Sequence, residues 1–239
     1  MAENLKEILA LKNATESSVD IYIYGDIVSA WYGKWTDEDR YPAEIKKAID
    51  DADGRDINVH INSGGGSVFA GMAIYNLLSN YEGSVTTYID GMAASIASVI
   101  AMAGDKVIMR TGSAIMIHKP LYAICGALNA NDMRKAASEL DEIQKAIMQV
   151  YEKRAVAGKL AEIEEKVNAE TWMTSGEAIK YFEIEEETKM LAVASAQSDF
   201  IAKFVKNPPQ YAQGTAKSDE DIKNKAKREL ILIEKGVIK

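Results

Sequence analysis

The chain has 239 residues, 47% of them hydrophobic, which is enough for a sizeable core, and its formal net charge of -8 argues against a general nucleic-acid binder. One Cys and two His exclude a disulfide framework and a zinc site built from Cys/His pairs, and no metal or organic cofactor is implied. The charge is uneven: residues 201–239 carry nine Lys/Arg against five Asp/Glu, whereas residues 1–200 carry nineteen against thirty-one.

After Met1 the chain reads Ala-Glu-Asn-Leu-Lys, charged and without the apolar stretch of a signal peptide. The uncharged small-residue run Gly91 to Gly104 has 14 residues, where a bilayer span needs about 20. The expectation is a cytoplasmic protein with no membrane segment. Val19 to Tyr24 alternates β-branched and aromatic residues and predicts a strand ending at Gly25-Asp26. Pro42 followed by Ile45, Ala48, Ile49 and Ala52 has helical spacing, with Pro at the helix start. A second strand carries Ile57, Val59 and Ile61 on one face and Asn58, His60 and Asn62 on the other. It runs into Gly64-Gly65-Gly66, and Ser67 opens a helix to about Leu78. A strand over Ser84–Ile89, the small-residue stretch Ala93–Ala103, and strands at Lys106–Arg110 and Ala114–His118 follow. Strand, crossover helix and strand in repetition predict an α/β fold with parallel strands.

From Met133 to Val150 one apolar stripe predicts a single long helix suited to packing on another helix or another subunit. Thr174-Ser175-Gly176-Glu177 fits a capping box. Beyond Phe204 come Asn207-Pro208-Pro209, a Lys-rich stretch and an apolar run at Leu230–Ile233. The domain reading is an N-terminal segment over 1–18, a body over 19–206, and a basic linker and tail over 207–239 with a possible terminal helix.

Three segments could carry chemistry. Ser95 stands at the start of a small-residue helix, whose N-terminal N–H groups suit an oxyanion, although Ala and Ser there also suit close helix packing. His118 ends an apolar strand at a sheet edge, where it could act as a base or as a hydrogen-bonded structural residue. His60, on an interior strand, reads as structural. Ile61-Asn62-Ser63-Gly64-Gly65-Gly66-Ser67 lacks the glycine spacing and the Lys of phosphate loops. Its bare backbone could face a peptide or acyl group, or make only a tight turn. Together the three supply a nucleophile, a base and oxyanion donors.

These segments also resemble a family. Gly-Met-Ala-Ala-Ser95, Met-Ile-His118-Lys-Pro and Ile-Asn-Ser-Gly-Gly-Gly66 followed by Ala70-Gly71-Met72 are similar, in order, to motifs of the Clp protease proteolytic subunit, ClpP, from about Asp20 to about Glu185. The resemblance implies a ClpP/crotonase-type fold of repeated ββα units with a protruding long "handle" helix. It implies a serine endopeptidase in which Ser95 attacks the scissile carbonyl and His118 moves the proton. The N–H groups of Gly66 and Ile96 would hold the oxyanion, and a polypeptide substrate would lie as a strand along Gly65, Ser67 and Val68 and along Lys119 and Pro120. It implies homo-oligomeric rings of six or seven subunits, with the handle packing two rings face to face.

The sequence departs from the family pattern in places. Glu170 stands where the family has the triad Asp, with Asn168 as the fallback, and Gly64 replaces the usual Pro. Met1–Ser18 does not resemble the segment that meets an ATP-dependent unfoldase. The strand Tyr22-Ile23-Tyr24-Gly25, the insert from Trp31 to Asp39, the segment Glu170-Thr171-Trp172-Met173 and the basic tail resemble the ClpP-related proteases of phages and prophages, associated with head maturation. Phage capsid or portal proteins are therefore candidate partners, beside an unfoldase in the housekeeping reading. Competing readings are a crotonase-like acyl-CoA enzyme and a non-catalytic ring-forming assembly protein. Cys125 lies near His118 in sequence without a supporting motif.

Overall fold

The computed structural model describes residues 11–12, 15, 17–123 and 126–187. Most of the N-terminal segment, Cys125, and the linker and basic tail over 207–239 lie outside the described residues.

The body is a mixed α/β unit around one sheet. Its strands are β1 (Leu11–Lys12), β2 (Ser18–Ile27), β3 (Asp56–Gly66), β4 (Val85–Ala94), β5 (Lys106–Arg110), β6 (Ala114–Ile117), β7 (Thr171–Thr174) and β8 (Glu185–Glu187). The order runs β1-β2-β3-β4-β5-β8, with β6 added beside the far end of β4 and β7 beside β6. From β2 through β8 the main path is parallel, as the strand–helix–strand repetition predicts. The exceptions are the antiparallel pairings of β1 with β2 and β7 with β6.

The helices are α1 (Pro42–Ala52), α2 (Val68–Ser79), α3 (Ile96–Ala101), α4 (Ala130–Arg154), α5 (Leu160–Asn168) and α6 (Ser175–Ala178). Pro42 occupies the first turn of α1, where a missing N–H costs nothing, and Ile45, Ala48, Ile49 and Ala52 are its buried face. Alternation in the strands does the complementary work. Val19, Ile21 and Ile23 of β2, Ile57, Val59 and Ile61 of β3, and Val85 and Ile89 of β4 are all buried in the same core as α1, α2 and α3. Each such side chain contributes about 1.5–3 kcal/mol through burial.

The other face of the sheet is half-buried and polar or aromatic. In register across β2, β3 and β4, Tyr22, His60 and Tyr88 stack with ring centroids 4.7 and 5.1 Å apart. His60 is thereby part of the sheet's structure, and its Nδ1 lies 2.8 Å from Asp90 Oδ2.

Two elements differ from their sequence-based bounds. Gly64-Gly65-Gly66, read from the sequence as a glycine loop between strand and helix, continues β3, because Asp26 and Ile27 of β2 pair with Gly65 and Gly66. The strand expected to stop at Ile89 runs to Ala94, because its last residues pair with β6. The long helix spans 25 residues. It starts at a capping box formed by Asn129 and Asp132, and only Ile147, Val150 and Tyr151 of it are buried. Its first half is largely exposed, Met133 included.

Candidate active site

β4 ends at Ala94 and α3 begins at Ile96, which leaves Ser95 alone at the bend with φ +56° and ψ -127°. A non-glycine residue in such a region costs of order ~1–3 kcal/mol and persists only where its surroundings fix it. Here they do. The Ser95 N–H donates to the Met116 carbonyl at 3.0 Å, and the Ser95 carbonyl accepts from the Ser98 N–H at 3.0 Å and from the Ser98 hydroxyl. A serine at a helix N-cap ordinarily turns its hydroxyl back onto an N–H of the first turn. Ser95 makes no such cap, and its Oγ lies 2.7 Å from His118 Nε2.

The ladder between β4 and β6 brings the two together. Met92, Ala93 and Ala94 face Ala114, Ile115 and Met116, so the residues that follow each strand emerge side by side. Burial lowers the His118 pKa below the ordinary imidazole value, and the Glu170 charge pulls in the opposite direction. The ring is therefore neutral near pH 7, and Nε2 can accept the Ser95 proton.

Glu170 reaches the site by the same sheet logic. β7 runs antiparallel to β6 with Thr171 opposite Ile117, so Glu170 and His118 follow one another past the same pair. Glu170 sits at the turn between α5 and β7 with φ +53°, half-buried, and its influence on His118 is through charge. Asn168, the fallback, ends α5 and lines a groove between α4 and α5 instead.

The glycine strand closes the site from the other side. Gly65, at φ +99°, packs so closely that an added Cβ would lie 2.8 Å from Ser95 Cβ and from the Ala94 carbonyl. Gly66 presses on β2, where an added Cβ would come 2.1 Å from the Ile27 carbonyl oxygen. Ile96 is the first residue of α3, so its N–H has no intrahelical acceptor. Ser67 caps α2 through its hydroxyl and shares a hydrogen bond of 3.0 Å with Ser29.

Val68 and Pro120 line a shallow apolar pocket beside Ser95 and His118, together with Ile96, Val99, Ile147 and Tyr151. Its free volume of about 10 Å³ is room for roughly one water molecule. Lys119 is exposed and borders the α4–α5 groove rather than this pocket. Among the described residues no group of His, Cys, Asp and Glu could hold a metal ion, and no helix is long and apolar enough to cross a membrane.

A family model for Clp protease matches residues 44–186, which is more than half of the chain and holds the Ser95, His118 and glycine segments. The chain belongs to the Clp protease family. Among its relatives is an ATP-dependent Clp protease proteolytic subunit of Porphyromonas gingivalis, 37% identical over 154 residues, covering 61% of this chain and 68% of the relative. A protein of the same description from Bacteroides fragilis is 36% identical over 163 residues, covering 63% and 75% respectively, and one from Streptococcus mutans is 33% identical over 135 residues, covering 55% and 68%. The chain is a ClpP-like peptidase.

Sequence reasoning missed the pocket wall supplied by Val99 and Tyr151, because residues on α3 and α4 meet only in three dimensions. It also missed a buried ionic cluster behind the site. Asp90 accepts from Tyr24 at 2.8 Å and from Arg110 Nε at 2.6 Å, besides its contact with His60. The signal was available in part: His60, Asp90 and Arg110 are polar residues spaced along apolar strands.

Proposed function

We propose that the protein is a serine endopeptidase in which Ser95 is the nucleophile, His118 the general base and acid, and Glu170 the group whose charge stabilises the imidazolium. The observation that carries this reading is the 2.7 Å approach of Ser95 Oγ to His118 Nε2 from a serine bend whose capping role is unused. With Nε2 unprotonated, the hydroxyl donates its proton to the ring as Oγ attacks the scissile carbonyl. The N–H groups of Gly66 and Ile96 receive the oxyanion, and losing one such donor costs about 2.7–4 kcal/mol in serine proteases. His118 then protonates the leaving amine, and water resolves the acyl-enzyme. A polypeptide lies extended along Gly65, Ser67 and Val68 on one side and Lys119 and Pro120 on the other.

The finer reading is a prophage-type protease of head maturation that acts on capsid or portal proteins as a ring of six or seven subunits. It is supported by the Trp31–Asp39 insert and by the opposite charge of the tail. The names of the relatives favour a second reading, a proteolytic subunit that works with an ATP-dependent unfoldase.

A fluorophosphonate probe is expected to label the wild type at Ser95 and to leave Ser95→Ala unlabelled. Absence of any Ser95 adduct in folded protein overturns the peptidase reading. Incubating wild type and Ser95→Ala with capsid and portal proteins, or with an unfoldase and a tagged substrate, separates the two finer readings by which mixture shows Ser95-dependent cleavage.

A further inference from the structure

The segment between β2 and α1 is built rigidly but carries its largest apolar side chains outward. Its frame is buried: Asp39 and Arg40 are each 4% exposed. The Asp39 carboxylate accepts from the N–H groups of Asp26, Trp35 and Thr36 and from the Thr36 hydroxyl. Burial alone would raise its pKa, and these hydrogen bonds outweigh that and hold it below the usual carboxylate range. Arg40 donates to the carbonyls of Tyr22, Asp37 and Asp39. Backbone bonds from Val28 to Arg40 and from Arg40 to Asp26 close the base of the loop.

On this frame a 3₁₀ turn, Trp31–Gly33, buries none of its residues. Trp31, Tyr32 and Trp35 are 71%, 76% and 94% exposed, and Trp31 and Tyr32 meet edge to face at 6.0 Å. Fully covering aromatic side chains removes about 150–250 Å² each from water, so leaving them exposed on a fixed loop is costly unless something covers them.

The loop is also tied to the site. It leaves β2 at Ile27, the residue paired with Gly66, and Ser29 bonds Ser67 at 3.0 Å. Trp31 is two residues beyond Ser29, about 7 Å of extended chain. On the other side of that bond Phe69, 71% exposed, stands two residues beyond Ser67.

We infer that the Trp31–Tyr32 turn and Phe69 form an outlying substrate subsite that takes an aromatic or aliphatic side chain of the polypeptide several residues from the scissile bond. This rests on the peptidase reading above. A preorganised aromatic platform loses little conformational entropy on binding. The Ser29–Ser67 bond holds the loop against the residue that follows Gly66, so a chain held at Gly66 lies within reach of it. The subsite adds affinity for long chains and none for short ones.

The test uses the Ser95→Ala background, so that binding is read without turnover. Anisotropy is measured with two fluorescein-labelled peptides, a long one bearing Phe residues well away from its central bond and a short one spanning only the residues next to that bond. Replacing Trp31 and Tyr32 together by Ala is expected to weaken the long peptide about tenfold, which corresponds to ~1.4 kcal/mol, and to leave the short one unchanged. Trp31→Phe is expected to keep most of the affinity. Equal weakening of both peptides, or of neither, overturns the proposal. So does a change in mass by light scattering in the double variant, which would assign the patch to a second copy of the chain. Failure of the peptidase reading shows separately, as absent labelling of Ser95 in the wild type.

Discussion

At Ser95 the strained backbone and the unused cap are one arrangement: a positive φ turns the hydroxyl away from α3 and towards His118. Gly65 makes room for that turn. Gly65→Ala would put a methyl group 2.8 Å from Ser95 Cβ at a φ that disfavours any side chain. It is expected to abolish fluorophosphonate labelling while lowering stability by about 1–3 kcal/mol, measured by urea unfolding. Glu170 gives a prediction with a definite sign. Burial lowers the His118 pKa and the Glu170 charge raises it, so Glu170→Gln leaves burial unopposed. Since His118 acts as a base when neutral, the acid limb of the pH profile of kcat/KM is expected to move to lower pH. A limb that moves up or stays in place would show that Glu170 does not act on His118. Ser95 and His118 were legible in the sequence because each sits inside an ordered motif. Glu170 was legible only by alignment on Trp172, and its approach to His118 depends on the β6–β7 register.

At the scale of elements, β4 is shaped to deliver the bend. Its register with β3 passes from Ile61–Ile89 to Ser63–Ala93, so Asp90, Gly91 and Met92 stand against Asn62 alone. Asn62 fills the bulge by accepting from the Met92 N–H at 3.2 Å. Asp90, 7% exposed, fastens the bulge to β2, β3 and β5 through Tyr24, His60 and Arg110. Burial raises the Asp90 pKa, but the bonds from His60, Tyr24 and Arg110 outweigh it and hold the carboxyl ionised below the usual range. Asp90→Asn removes one of the two carboxylates on Arg110, which keeps Glu187, and is expected to cost about 1–3 kcal/mol in urea unfolding near neutrality. The sign with pH follows from the lowered pKa. The Asp90 contribution is complete above the unfolded carboxylate pKa and is lost as pH falls through the folded one. The deficit of the variant is therefore expected to shrink in strong acid. The capping box at Thr174 and Glu177 was readable because it is local, and α6 begins there as expected. The bulge was not, since its partner lies on another strand.

At the scale of the molecule, α4 fully buries three of its residues and packs Ile143 and Met148 part-buried against the same core, while its first turns are largely exposed. An apolar stripe with Met133 exposed suits a subunit contact, and light scattering is expected to give a ring-sized mass, with a monomer overturning the ring expectation. Removing the tail from Asn207 onward is expected to leave Ser95-dependent cleavage of short peptides unchanged, as read by peptide hydrolysis, because every residue of the site described above lies before it.

The sequence alone determined the order of strands and helices from β2 through α4, the parallel character of that part of the sheet, and the nucleophile and base candidates. Those follow from periodicity, capping and short motifs, which act between residues near one another in the chain. It could not decide that the glycines continue a strand, that Tyr22, His60 and Tyr88 stack, that Asp90 ties four strands together, or that the Trp31 turn reaches Ser67 through Ser29. Each of these depends on the register between strands far apart in sequence, and register is a property of the packed sheet.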